Sequence, residues 1–241
     1  MFAALTSLVG LAAGGIASIV GFGIGSLLTP LLAFRLGVPI AVAAVSIPHL
    51  AGTLLRFVRL REHVDRRALC SFGIASAAGG LVGALGHVYL RSGWLGIVLG
   101  ALLVFAGLSG VSGLAERMRF GRKTAWIAGV LSGAFGGLVG NQGGIRSAAL
   151  LGLDVSKEAF VATATAIGLI VDGVRMPVYL ATQARRLAYA WPLITAATAG
   201  VLAGTILGER VLKRIPEAIF RRVTSSVVLA LGVAVLAGLG R

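Results

Sequence analysis

Two clusters of small and polar residues interrupt otherwise apolar stretches of this chain: Gly21-Phe22-Gly23-Ile24-Gly25 and Gly140-Asn141-Gln142-Gly143-Gly144. Glycine, with no Cβ, lets a helix unwind or a backbone approach a ligand closely. In lipid such a break is tolerated only where protein or a water-filled cavity satisfies the freed N–H and C=O groups, so each cluster marks a cavity. The half-helix after a break turns free N–H groups and the positive end of its dipole toward that cavity, which suits an anion. The competing reading is close helix packing through small residues. Asn141 and Gln142 need partners inside their apolar block, and the guanidinium of Arg146 is costly at membrane depth unless it has a role. Its fork suits a tetrahedral or pyramidal oxyanion; otherwise it snorkels to an interface or pairs with Asp154 or Asp172. Asp172 and Arg175, three apart, have the spacing of a helical ion pair, with a proton relay as the alternative. His49, beside Pro48, can titrate or hydrogen-bond a substrate. Ser46 and Thr163 follow the two breaks at matching positions, and either hydroxyl can meet an oxyanion or bond back to its own helix. The candidate substrate-binding residues are therefore Gly21, Phe22, Gly23, Gly25, Ser46, Asn141, Gln142, Gly143, Gly144, Arg146 and Thr163. His49, Asp172 and Arg175 are the candidates for coupling or gating.

Other chemistry finds no motif. A hydrolase would need a nucleophile beside a base, but there is neither a Gly-x-Ser-x-Gly elbow nor a His-Glu-x-x-His helix, and the three histidines are scattered. No phosphate-binding loop is present either. The expectation is a protein that is not an enzyme, uses no cofactor or metal, and moves a small anionic substrate on a gradient or with a partner's help.

Composition fixes the solvent in which these residues must be positioned. Of 241 residues, 57% are hydrophobic and only 12% charged, with 36 glycines and a mean hydropathy of +0.97. A soluble domain carries about 25% charged residues, so a water-facing surface cannot be built from this supply. A spanning helix takes about 20 apolar residues, so eight would use roughly 160 of the chain. No room remains for a soluble catalytic or nucleic-acid-binding domain. The net charge of +14 sits mostly in short runs beside apolar segments, as the positive-inside rule and contact with anionic lipid heads require. Cys70 stands alone and is read as packing. The N-terminus lacks the charged region of a cleaved signal, so residues 1–20 are expected in the mature fold.

Apolar blocks run over 2–34, 38–55, 68–90 and 94–114, then over 125–153, 159–180, 187–207 and 223–239. The first block of each half is too long for one span and is broken at its glycines. A shift of about 119 residues lays Gly21 on Gly140, Gly25 on Gly144, Arg56 on Arg175 and Arg66-Arg67 on Arg185-Arg186. The expected organisation is an all-α polytopic membrane protein with a first repeat over 1–115, a basic linker over 116–124 and a second repeat over 125–241. Matched, glycine-interrupted segments in two halves point to a secondary transporter with its site between the repeats. If all eight blocks cross once, the loops 56–67, 117–123 and 175–186 share one side, and Arg35, Arg91, Lys157 and the cluster 210–222 crowd the other. Each long block can instead dip in and return, which inverts the second repeat relative to the first; that arrangement is preferred.

The broken first segment with Pro30 after its glycines resembles the TauE/SafE sulfite exporter family, as do Leu36-Gly37-Val38-Pro39 leading into Ala44-Val45-Ser46 and the run 129–136 through Gly143-Gly144. Leu151-Gly152-Leu153 and Ala162-Thr163-Ala164 extend the resemblance over nearly the whole chain. It implies a duplicated protein of seven to eight helices in the bacterial inner membrane that moves sulfite, sulfoacetate or a related organosulfonate outward. It also implies an anion near the two glycine breaks, with Ser46 and Thr163 nearby. Gly-Phe-Gly-Ile-Gly stands where the family has adjacent glycines, and Ile145-Arg146 where small residues or proline are common. A transporter or channel for another small anion such as a carboxylate, and a non-transporting membrane assembly subunit, are the alternatives. Membrane lipids are expected partners, and a homodimer is kept open as the assembly.

Overall fold

The computed structural model describes residues 1–114, 122–141, 143, 145–146, 150, 156–212 and 217–238, and every regular element among them is helical. We number the helices α1 (Phe2–Val20), α2 (Ile24–Leu36), α3 (Val38–Leu60), α4 (Ile74–Tyr89), α5 (Ser92–Ser112), α6 (Arg122–Val139), α7 (Lys157–Leu212) and α8 (Glu217–Leu236). A 3-10 turn at Arg61–His63 and a π-helical turn at Leu69–Gly73 connect α3 to α4. Gly21 ends α1 in the left-handed conformation at φ 80°, its N–H donating to Ala17 O. Gly23 takes φ 134°, which an L side chain rarely adopts, and α2 begins at the next residue.

Contacts between helix ends fix the path. The guanidinium of Arg35, in the last turn of α2, lies 5.3 Å from the ring of Phe2, in the first turn of α1. The α1–α2 pair therefore enters and returns to the face from which it started. Pro39 O accepts a bond from the His87 ring, and a β-carbon on Gly96 would lie 3.9 Å from Val38 Cγ2, so α3 starts, α4 ends and α5 starts on this same first face. The opposite, second face carries the turn at 61–68, where Asp65 N donates to Thr163 Oγ1 and so anchors the start of α7. Gly129 packs against Phe72, which places the start of α6 there as well.

The span α7 is helical throughout yet cannot be straight. Asp172 bonds His49 and Val201 packs on Gly52, one turn apart on α3, whereas 29 residues of straight helix would separate them by about 43 Å. The chain folds back between them, and the exposed pair Arg185–Arg186 lies at the middle of that interval. Two limbs result, the second ending against α1, where Ser18 Oγ donates to Thr205 O.

The first long block thus folds as two helices, α1 and α2, that begin and end on one face. The basic residues redistribute accordingly. Arg59, Arg61, Arg66 and Arg67, both ends of α7 and the starts of α6 and α8 fall on the second face, while Arg35, Arg91, Arg185 and Arg186 fall on the first. Among the described residues, five helical stretches are long and apolar enough to cross a membrane, Phe2–Ile19, Val38–His63, Arg66–Tyr89, Ser92–Ser112 and Glu158–Gly208, and this is a multi-pass membrane protein.

Packing pairs α1 with the second limb of α7, α4 with α6, α3 with the first limb of α7, and α5 with α8. Glycine lets the first two of these pairs close backbone to backbone. Gly133 leaves no space for a β-carbon against Ser76 O, and neither does Gly204 against Leu11 O. Backbones this close gain dispersion contacts that larger residues would forfeit.

Candidate functional site

Both breaks converge on one small pocket. From the first come Phe22, Gly23, Gly25 and Ser26; from the second come Gly140, Asn141, Gly143 and Arg146; His49 of α3 completes the lining. The pocket is narrow, with a cavity volume of about 10 Å³, close to the room one water needs. Three local features build it. Pro48 inside α3 has no N–H to donate, so the backbone is loosened beside His49. Gly140 ends α6 at φ 71°, with its N–H donating to Gly136 O. The first turn of α2 starts at Ile24, so its unpaired N–H groups lie at the pocket rim.

The polar groups are arranged by chemistry. Ser26 Oγ donates to Asn141 Oδ1 at 3.3 Å, and Asn141 Nδ2 is buried with no partner among the described residues. Arg146 is 2% exposed. Its Nη2 donates to Gly21 O at 3.2 Å, while Nε and Nη1 have no partner among the described residues. Behind the pocket, His49 Nδ1 lies 2.6 Å from Asp172 Oδ2. Asp172 Oδ1 accepts from Arg175 Nε at 2.9 Å, and Arg175 Nη2 lies 2.7 Å from the same oxygen. Arg175 Nη1 donates to Gly136 O at 2.7 Å, and the Tyr179 hydroxyl donates to Gly137 O. The end of α6 is thus tied to the first limb of α7 on two successive carbonyls, which holds the second break in place.

Of the residues singled out by sequence, Phe22, Gly23, Gly25, Asn141, Gly143, Arg146 and His49 line the pocket. Gly21 meets Val161 and Ala164 at the start of α7 and lends its carbonyl to Arg146. Asp172 and Arg175 stand one layer behind, joined to the pocket through His49. Ser46 and Thr163 lie apart from the lining: Ser46 Oγ donates to Ala43 O at 2.6 Å, and Thr163 Oγ1 accepts from Asp65 N at 2.9 Å. Gln142 and Gly144 lie outside the described residues.

The structure adds Ser26, Arg56 and Tyr179 to the picture. Ser26 directly follows the first glycine cluster, a position that could have suggested it. Arg56 reads in the sequence as the first residue of a basic loop, but it occupies the last turns of α3 and is 3% exposed. Tyr179 is 0% exposed and carries no sequence signal beyond a four-residue step from Arg175.

The family model described as Sulfite exporter TauE/SafE matches residues 6–235, nearly the whole chain. No curated protein matches it.

Proposed function

Because this chain belongs to the sulfite exporter TauE/SafE family, a family of membrane transporters, we propose that it exports a small sulfur-containing anion, sulfite, sulfoacetate or a related organosulfonate, by alternating access. The observation that carries this reading is the sign of the unsatisfied groups in the pocket. Asn141 Nδ2 and Arg146 Nε, both buried with no partner among the described residues, are donors, and the Arg146 guanidinium is a cation. A ligand that satisfies them must be rich in acceptors. A guanidinium fork meets two oxygens of one oxyanion at once, and charge-assisted bonds of this kind are about twice as strong as neutral ones. The first-turn N–H groups of α2 add a positive end without a side-chain charge.

We also read residues 1–115 and 125–241 as inverted copies joined by the segment 116–124. Four contacts support this. Gly21 packs on Val161 and a side chain at Gly140 would meet Val42, so each break seats on the partner helix 119 residues away from its counterpart's seat. His49 meets Asp172 while Asp65 meets Thr163, so α3 and the first limb of α7 run antiparallel. Equivalent helices that cross antiparallel imply a two-fold axis in the membrane plane. With basic residues concentrated on the second face, that face is cytoplasmic by the positive-inside rule, in the inner membrane of a bacterium. Coupling falls to His49, which lines the pocket and is backed by Asp172 and Arg175.

The test is uptake of sulfite into proteoliposomes containing the purified protein. Arg146→Gln keeps hydrogen-bonding capacity and removes the charge. With folding confirmed by its elution and helicity, it should lower uptake at least tenfold. Uptake at the unaltered rate would remove Arg146 from the site, and preferential uptake of carboxylates by the parent protein would replace the substrate class.

A further inference from the structure

Three buried guanidiniums, those of Arg56, Arg146 and Arg175, accompany a single buried carboxylate among the described residues, Asp172. Arg175 holds that carboxylate through two of its nitrogens, and His49 takes its other oxygen. Arg56 and Arg146 are left without a carboxylate partner among the described residues, outside which Asp154 lies. Arg56 has one weak bond, Nη2 to Thr53 Oγ1 at 3.4 Å, and its Nε and Nη1 are buried with no partner among the described residues. The two arginines approach each other across one contact. A β-carbon placed on Gly168 would lie 3.1 Å from Arg146 Nη1 and 3.6 Å from Thr53 Cγ2, the residue that Arg56 bonds. Arg146 Nη1 therefore lies on one side of the Thr53–Gly168 contact and the Arg56 guanidinium, bonded to Thr53, on the other.

Buried charges that lack partners are strongly destabilising, and the usual solutions are pairing or a bound counter-ion. We propose that Arg56 and Arg146 together form a second anion subsite, deeper toward the second face than the pocket, which selects doubly charged oxyanions over singly charged ones. Arg146 is the shared member, with Nη2 on Gly21 O at the pocket and Nη1 turned to Gly168. Arg56 lies seven residues beyond His49 on α3, about 10 Å further along the helix axis. An ion with two charges and several oxygens neutralises both guanidiniums, whereas one with a single charge leaves one of them uncompensated. Sulfite in its fully ionised form and sulfoacetate, with its sulfonate and carboxylate, both meet that requirement. This deepens the transport reading and rests on it.

Sulfate and methanesulfonate separate the two charge states while keeping the same kind of oxygen. Binding of each to the full-length protein in detergent, in a chloride-free buffer, is measured by titration calorimetry. The parent protein should prefer sulfate. Arg56→Gln should weaken sulfate at least tenfold and methanesulfonate less than threefold, so that the preference collapses. Arg146→Gln should weaken both. Arg56→Met gives a second reading if Arg56→Gln does not fold: with no buried charge left at that position, it should unfold at a higher temperature than the parent without anion, and lose the preference in the same way. Sulfate affinity and preference retained in either Arg56 variant would overturn the subsite while leaving the transport reading intact. A parent protein that binds neither anion would overturn both.

Discussion

Phe22 and Gly143 face each other across the pocket, one from each break, and their contact gives a sharp perturbation. A β-carbon on Gly143 would lie 2.6 Å from Phe22 Cδ2, 2.7 Å from Cγ and 2.8 Å from Cβ. Carbon pairs prefer about 3.5–4.0 Å, so in Gly143→Ala the two breaks must separate by roughly 1 Å. Rotation of the ring gives no relief, because Cβ and Cγ, at the root of the side chain, clash as well. Overpacking of this kind costs about 1–3 kcal/mol. Gly143 is helical and lacks a positive φ, so alanine returns about 0.4–1 kcal/mol through the unfolded chain. The net loss, roughly 0–2.6 kcal/mol, lowers Tm by at most about 10 °C at 2–4 °C per kcal/mol. Transport should fall much further than stability, at least tenfold, since an opening between the breaks removes the close fit on which a small-ion site depends. Thermal unfolding in detergent and sulfite uptake in proteoliposomes, measured on one preparation, give both quantities. Gly93→Ala, where no atom lies within 4 Å of the added carbon, is the control and should change neither. Phe22→Ala combined with Gly143→Ala should recover uptake relative to Gly143→Ala alone, with a coupling energy of about 1 kcal/mol or more between the two sites. Gly143→Ala that transports at the parent rate would refute the opposition of the two breaks across a substrate.

Asp172→Asn removes the carboxylate that His49 and Arg175 share, leaving a buried guanidinium without its ion pair, at a cost of about 3–5 kcal/mol. Thermal unfolding should show a Tm lower by roughly 6–20 °C, and joint replacement of Asp172 by Leu and Arg175 by Met should recover most of the loss; an unchanged Tm in Asp172→Asn would contradict the ion pair. For topology, Cys70→Ser provides a background in which Glu62→Cys and Ser92→Cys, both at exposed positions, report on the two faces. An impermeant maleimide should label position 62 from the cytoplasmic side only and position 92 from the outside only, and labelling of both from one side would refute the crossing of α4 between the two faces.

Much of the site was legible because intramembrane polar residues are rare and conspicuous. Arg146, Asn141 and the glycine clusters stand out against apolar neighbours, and the three-residue step from Asp172 to Arg175 describes the ion pair that forms. What the sequence conceals is direction and partnership over distance. Hydropathy is blind to whether a helix crosses or returns, so the return of α1 and α2 depends on contacts such as Phe2 with Arg35, 33 residues apart. His49 joins Asp172 over 123 residues, which no local spacing announces. Arg56 shares its composition with the loop that follows, and only the extra turns of α3 carry it into the interior. At 185–186, by contrast, charge alone marked a reversal that the helical backbone between α7's two limbs obscures.

The glycine contact between Leu11 and Gly204 has a consequence for how the protein is made. The groove of α1 is synthesised first, and its partner limb emerges 193 residues later. At about 5–20 residues per second, that is a delay of roughly 10–40 s. Over this interval the newly inserted first half must stand in the bilayer with the small-residue face of α1 against lipid tails or a holding protein. A chain that stops short of residue 200 would never cover that face and would be a ready substrate for membrane quality control, even though every residue of the first glycine break had already been inserted.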